Sequence, residues 1–235
     1  MARKPSGETP QLPMPTKPTR ERIIEAFMAL LAERPFEEIG FGEIAARAGV
    51  SLTQCRAEFS ATIWVLGAQV ADLDQKVLEG VESDMAEEPR RERLFDLLMR
   101  RLELLAPHRA AVRSLLRSAQ RDPALACALN AFAVRSQQWM LTAADIGSAG
   151  PRGVIRAQGL AMLYARVLRV WLNDQDPGLA RTLAALDREL ARGQRWSGYL
   201  DGLCRLVPTG VFGGGRPERH RRSGGDAVGE EPIPI

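Results

Sequence analysis

Apolar residues return at helical spacing through most of the chain, and the first clear stripe is Ile23, Phe27, Leu30 and Leu31, at i, i+4, i+7 and i+8. That spacing lines one side of a helix, predicted over 19–34 with Thr19 as its cap and Pro35 as its stop. Residues 41–59, FGEIAARAGVSLTQCRAEF, then predict a short helix to 48, a turn at Gly49 and a second helix entered through Ser51. Gly49 stands where the chain must leave a helix with positive φ, which glycine does without steric cost. Ser51 and Gln54 make the S-x-x-Q pattern of a capping box. Ile44, Ala45, Ala48 and Val50 supply a small apolar inner face across which two helices cross closely. The pair reads as a helix-turn-helix, its second helix the groove-reading one.

The stripes continue. A helix over 61–83 carries Ile63, Leu66, Val70, Leu73 and Val77, and Pro89 opens another whose stripe is Leu94, Leu97, Leu98, Leu102 and Leu105. Over 108–119, Val112, Leu115 and Leu116 face inward and Arg109, Arg113 and Arg117 outward. Asp122 and Pro123 open a long, almost wholly apolar helix to about 146, expected at the centre of the body. Beyond a glycine-rich loop over 147–153, a helix over 154–172 places Leu160, Leu163, Tyr164, Val167, Val170 and Trp171 for packing. Asp176 as cap and Pro177 as first helical residue predict a helix with Leu179, Leu183, Leu186 and Leu190. It breaks near Gly193, and a last helical stretch covers 196–206. No strand-like alternation of convincing length and no internal repeat interrupts the series. The reading is all-α: a disordered arm over 1–18, a three-helix head over 19–72, a helical body over 73–206 and a disordered tail over 207–235.

Composition narrows the chemistry. At 235 residues and 45% apolar, with only two Tyr, the chain builds a real core and reads as soluble and helical. The net charge of +3 is unevenly placed: residues 19–72 hold five arginines against eight carboxylates, while Arg3, Lys4 and Lys17 lie in the arm and a second basic cluster lies at 216–222. A DNA contact would therefore rest on local placement and on the arm. Cys55, Cys127 and Cys204 have no metal or disulfide spacing, which points to buried, reduced cysteines in a cytoplasmic protein. No signal peptide is visible, and the most apolar window, 124–144, is interrupted by Asn130, Arg135 and two Gln, against a membrane span. His108 and His220 have no partner at metal or triad spacing, so the chain reads as no enzyme, with no catalytic residue, metal or cofactor. Asp72 and Asp74, like Glu82 and Asp84, read as solvated carboxylates, and Arg47 as solvated too. Gly213 to 215 lacks the lysine and helix of a phosphate loop.

Residues 20–71 resemble the DNA-binding domain of the TetR-type transcriptional regulators: the first helix RIIEAFMALLAERPFEEIG, the block EIAARAGVS, and Phe59 closing the recognition helix. The resemblance implies a ligand-responsive homodimeric repressor that binds a double-stranded DNA operator and responds to a small apolar effector. The helix after Phe59 would then link head to body. Ser51, Leu52, Thr53, Gln54, Arg56 and Thr62 are the DNA-binding candidates. Gln bonds adenine edges and Thr offers a methyl or hydroxyl. The family's usual Gly, Tyr and Lys are here Thr53, Arg56 and Thr62, so the scaffold is kept while the contact set differs. In the body, Gln137, Gln138, Trp139, Met162, Tyr164, Arg166 and Trp171 are candidates for an effector pocket, with an aromatic core or a dimer interface of two helices per subunit as the other reading. A fainter resemblance, in RLFDLLMRRLELLAPHRAAV, QQWMLTAADI and VLRVWLNDQDPGLARTLAALDREL, is to TetR-fold accessory proteins of ubiquinone biosynthesis. It implies the alternative: a lipid binder that has lost DNA binding.

Overall fold

Each apolar stripe becomes a helix. The computed structural model describes residues 17–80 and 88–206, with side chains as far as 193. Among these residues the elements are α1 (Thr19–Glu33), α2 (Phe41–Ala48), α3 (Leu52–Glu58), α4 (Thr62–Glu79), α5 (Arg90–Leu105), α6 (Arg109–Ala119), α7 (Pro123–Ala143), α8 (Gly150–Asn173) and α9 (Ala180–Leu206), with 3-10 turns at Phe36–Glu38 and Ala106–His108. The architecture is all-α. The predicted arm to residue 16, the helix end at 81–83, Glu82 and Asp84, the side chain of Cys204 and everything after 206 lie outside the described residues. The backbone divides between Ser197 and Gly198 into two units, the second holding the last turns of α9.

Two apolar clusters hold the first unit together. In one, Ile23, Phe27, Leu30 and Leu31 of α1, each at most 2% exposed, pack with Ile44, Cys55, Phe59 and Val65. Phe36 meets Phe27 edge-on at 6.2 Å. Ala111 and Leu115 of α6 and Leu125 of α7 complete this cluster, so α6 is braced on α1. Two hydrogen bonds fix the brace: the Ser114 hydroxyl donates to the Arg34 carbonyl at 2.9 Å, and the Phe36 N–H donates to the Ser118 hydroxyl at 3.1 Å. The second cluster joins Val77, Leu97, Leu98, Leu102, Met140, Val167, Trp171 and Leu186.

Several ends and faces differ from the sequence reading. Thr19 is the first residue of α1 and not its cap; Pro18 precedes it and no side chain caps the helix. α7 stops at Ala143, because Asp145 turns into the left-handed region at φ 56° and the Ile146 N–H donates back to the Leu141 carbonyl at 2.8 Å. α8 starts at Gly150, with Pro151 in its first turn, where its missing N–H costs nothing. α9 starts at Ala180, three residues after Pro177, and a second carboxylate shares its first donors with Asp176. Asp174, 1% exposed, accepts from the Thr182 N–H at 2.9 Å and from its hydroxyl at 2.7 Å. Asp176 stays exposed and closes the turn, accepting from Gly178 and Ala180. α9 also runs unbroken through Gly193, since one glycine weakens a helix by only about 1 kcal/mol. Arg109 and Arg113 are half-buried and not free: they donate to the carbonyls of Asp174, at 2.8 Å, and Leu172, neutralising the carbonyl end of α8. α7 is buried on one side only. Ser136 and Gln137 face in, while Trp139 is 52% exposed and Cys127 is exposed, against the expectation of a buried cysteine.

Candidate functional site

The recognition helix is built from its entry. Gly49 adopts φ 63°, ψ 40°, and the Val50 N–H donates to the Ala45 carbonyl at 3.0 Å, closing α2. Arg22 of α1 donates to the carbonyls of Ala48 and Gly49 at 2.6 and 2.7 Å, clamping the turn to the first helix. The Ser51 hydroxyl accepts from the Gln54 N–H at 3.1 Å, and Gln54 Oε1 accepts from the Ser51 N–H at 2.8 Å, so the capping box is complete. Cys55 and Phe59 anchor the inner side at 1% and 4% exposure. Burial pushes the Cys55 thiol up from its ordinary value, so it packs as a neutral group. Arg20 lies over the Phe59 ring, 5.3 Å from its centroid.

The outer side of α3 is thereby presented to solvent. Ser51, Leu52, Thr53, Gln54 and Arg56 are all exposed, Leu52 the more notable for an aliphatic at 59%. Arg56 has no ion-pair or hydrogen-bond partner among the described residues. Arg47 is not free: its guanidinium holds both oxygens of Glu33, at 2.9 and 2.7 Å, and this bond keeps the Glu33 carboxyl below its usual range. Thr62 opens α4 and is half-buried. The cap restricts Gln54: its carbonyl oxygen is already used, leaving the Nε2 amide hydrogens for any contact.

A cavity of about 650 Å³ lies between α4, α5, α6, α7 and α8, with Met28 and Leu31 of α1 at its edge. Its walls combine aliphatic side chains, including Leu73, Leu105, Val112 and Leu168, with the arginines Arg101, Arg113, Arg117 and Arg169, and no carboxylate among the described residues lines it. Of the body candidates, Gln137, Met162 and Tyr164 line it, and Met162, 55% exposed, also borders solvent. Gln138 and Trp139 line a separate surface groove with Asn130 and Thr142. Arg166 pairs with Glu189 of α9 at 2.9 Å. Trp171 is buried away from the cavity with the Arg109 guanidinium 4.5 Å above its ring.

The sequence reading missed the charged part of this region. Asp74 is 7% exposed and not solvated; its Oδ1 accepts from Arg101 Nη1 and, at 2.7 Å, from the Ser136 hydroxyl. Arg101, 5% exposed, lines the cavity and lies 5.8 Å from the Tyr164 ring centroid. A signal existed: Asp74 stands four residues after Val70 and three before Val77, and Arg101 four after Leu97, so both lie on buried stripes. Desolvation raises the Tyr164 phenol far above its ordinary value, so it is a neutral donor. Three sealed polar atoms of these residues, Gln137 Oε1, Tyr164 OH and Arg101 Nε, have no partner in good hydrogen-bond geometry among the described residues, although the Arg101 guanidinium bears on the Tyr164 hydroxyl.

Among the described residues no three of His, Cys, Asp and Glu come together to hold a metal ion. None of the described helices is long and apolar enough to cross a membrane.

The sequence matches no family model and no curated protein. Solved structures do match. A TetR transcriptional regulator from Nitrosomonas europaea is 23% identical, with 76% of this chain and 99% of that one covered and a TM-score of 0.59. One from Rhodococcus sp. RHA1 is 19% identical over 74% of this chain and 95% of the other, with a TM-score of 0.54. A TetR-family regulator from Streptomyces coelicolor is 17% identical over 82% and 89%, with a TM-score of 0.50. These likenesses show the fold: the chain has the fold of the TetR-family transcriptional regulators.

Proposed function

We propose that the protein is a DNA-binding transcriptional regulator of the TetR kind, a homodimeric repressor whose body responds to a small apolar effector. The observation that carries this is the capped helix α3, clamped from behind by Arg22 and offering Leu52, Thr53, Gln54 and an unpaired Arg56 on its outer side. Thr53 and Leu52 meet base edges and methyl groups, Gln54 donates from Nε2, and Ser51, Arg56 and Thr62 hold phosphates. Two such helices in a dimer would enter successive major grooves ~34 Å apart. Gln54 is the sharpest probe, because Gln54→Glu keeps the capping box while replacing the donor with a carboxylate.

Fluorescence anisotropy of the full chain against a random duplex pool, between ~50 and ~200 mM salt, tests the reading. The expected outcome is selection of a palindrome, with affinity falling steeply as salt rises. Gln54→Glu then loses at least about tenfold on that palindrome with its unfolding midpoint unchanged. Arg56→Ala weakens all duplexes alike and lowers the salt slope by about 1 per protomer.

The acidic balance of residues 19–72 favours a second reading, a TetR-fold lipid-binding accessory protein. Absence of any duplex binding at ~50 mM salt, together with lipid co-purifying in mass spectrometry, would establish it over the first.

A further inference from the structure

The cavity of about 650 Å³ joins an apolar wall to charge of one sign: every ionised group on its lining is an arginine, Arg101, Arg113, Arg117 or Arg169. Among the described residues only Arg101 of these is held by a carboxylate, Asp74, and that acid lines a neighbouring groove and not the cavity. Arg113 donates to the Leu172 carbonyl, which fixes the guanidinium against the end of α8 and leaves it a cation. Arg117 stands one turn after Arg113 on α6, and Arg169 about one turn before Leu172 on α8, so this contact sets both on adjoining stretches of the two helices. Both are exposed, and neither has an ion-pair or hydrogen-bond partner among the described residues. Unbalanced cations beside low-dielectric walls focus a positive potential into a cleft.

We propose that this cavity binds an amphipathic anion, an apolar chain ending in a carboxylate or phosphate, with the chain among Leu73, Leu105, Val112 and Leu168 and the head at Arg117 and Arg169. A guanidinium's planar fork matches the oxygens of either head. The volume is that of a small-molecule site. A neutral apolar molecule would cover the wall and leave the arginine charges unbalanced, and an ammonium would face them with no carboxylate on the lining. A small anion without a chain would leave the apolar wall bare, and salt and water compete well for an exposed guanidinium. Each methylene buried on the wall adds the affinity that the exposed head alone lacks. The inference rests on the reading of the body as an effector site and adds the ligand's chemical class.

Isothermal titration of the full chain with decanoate, decyl phosphate, decan-1-ol and decylammonium, at pH ~7.5 where the acids and the amine are charged, compares head groups on one tail. Both anions are expected to bind at least about tenfold more tightly than the alcohol or the amine, the tighter of the two naming the head, and raising salt from ~50 to ~500 mM should shrink that advantage. Arg117→Gln and Arg169→Gln should each weaken decanoate about threefold or more and leave decan-1-ol unchanged. Arg188→Gln, at an exposed arginine of α9 outside the cavity, should change neither. The head-group comparison on the native chain needs no variant, so a misfolded substitution does not spare the inference. Equal binding of decanoate and decan-1-ol, or a loss in Arg188→Gln that matches the loss in Arg169→Gln, would overturn it and leave the effector reading standing. Selective binding of the anions with no change in duplex affinity would instead sink the effector role and leave the ligand class intact. Binding of none of the probes overturns the inference, whatever the duplex titration gives.

Discussion

Asp74 and Tyr164 show how far single residues depart from their sequence appearance. Asp74 looks like one of two solvated acids two positions apart, yet the twist of α4 turns it inward beside Val77 while Asp72 meets Arg20 at 3.9 Å on the outside. Removing its charge alone leaves the Arg101 guanidinium buried without compensation. Asp74→Asn should therefore destabilise the fold by about 3–5 kcal/mol, whereas Asp74→Leu combined with Arg101→Leu recovers most of that loss. Urea unfolding of the two variants against the native chain reads both quantities. Tyr164→Phe should do the opposite of an ordinary core truncation. It deletes a buried hydroxyl with no well-placed partner among the described residues, so the protein should gain about 1 kcal/mol and a higher Tm. A loss of stability would mean that the hydroxyl is satisfied within the fold, by Arg101 beside it.

At the scale of elements, periodicity and caps worked where the signal was local. The Gly49 turn and the Ser51–Gln54 box are decided by residues within four positions of one another, and both stand as read. The start of α9 is the counter-example. A local reading puts Asp176 and Pro177 at the entry, but Asp174, held beneath Arg109's backbone contact and buried, supplies the bonds to Thr182. Those bonds, led by the Thr182 hydroxyl, hold the Asp174 carboxyl below its usual range. A carboxylate whose folded pKa is depressed contributes stability that is present above its unfolded pKa, ~3.9, and is lost as pH falls through the lower folded value. Acid unfolding below pH ~4 should therefore be shallower in Asp174→Asn than in the native chain. Circular dichroism at 222 nm across that range checks it, and identical acid limbs would refute the assignment.

For the whole molecule, the question is what the exposed apolar face of α8 does. Ile155 and Met162, 58% and 55% exposed, lie two turns apart on one side, and Leu183 of α9 is 36% exposed. This supports the reading of a two-helix interface between copies. Ile155→Glu should shift the protein from dimer to monomer in sedimentation velocity, and the salt slope of duplex binding should fall to about half, since one protomer would carry half the phosphate contacts. A mass unchanged by the substitution would remove this face from the interface. The same scale explains why head and body are less separable than the sequence reads: α6 contributes Ala111 and Leu115 to the cluster under α1.

The sequence by itself determined the helices and the turn chemistry, because helical period, a glycine at positive φ and a reciprocal cap each depend on neighbours a few residues apart. It also marked Gln137, Met162 and Tyr164, whose spacing from their helices' apolar stripes is visible along the chain. Only the tertiary structure decided that Asp74, Arg101 and Ser136 meet, since they lie on three different helices. Pairing across 27 and 62 residues depends on how α4, α5 and α7 pack, and no local pattern encodes that. The same packing seals polar atoms of Gln137, Tyr164 and Arg101 with bonds unmade among the described residues.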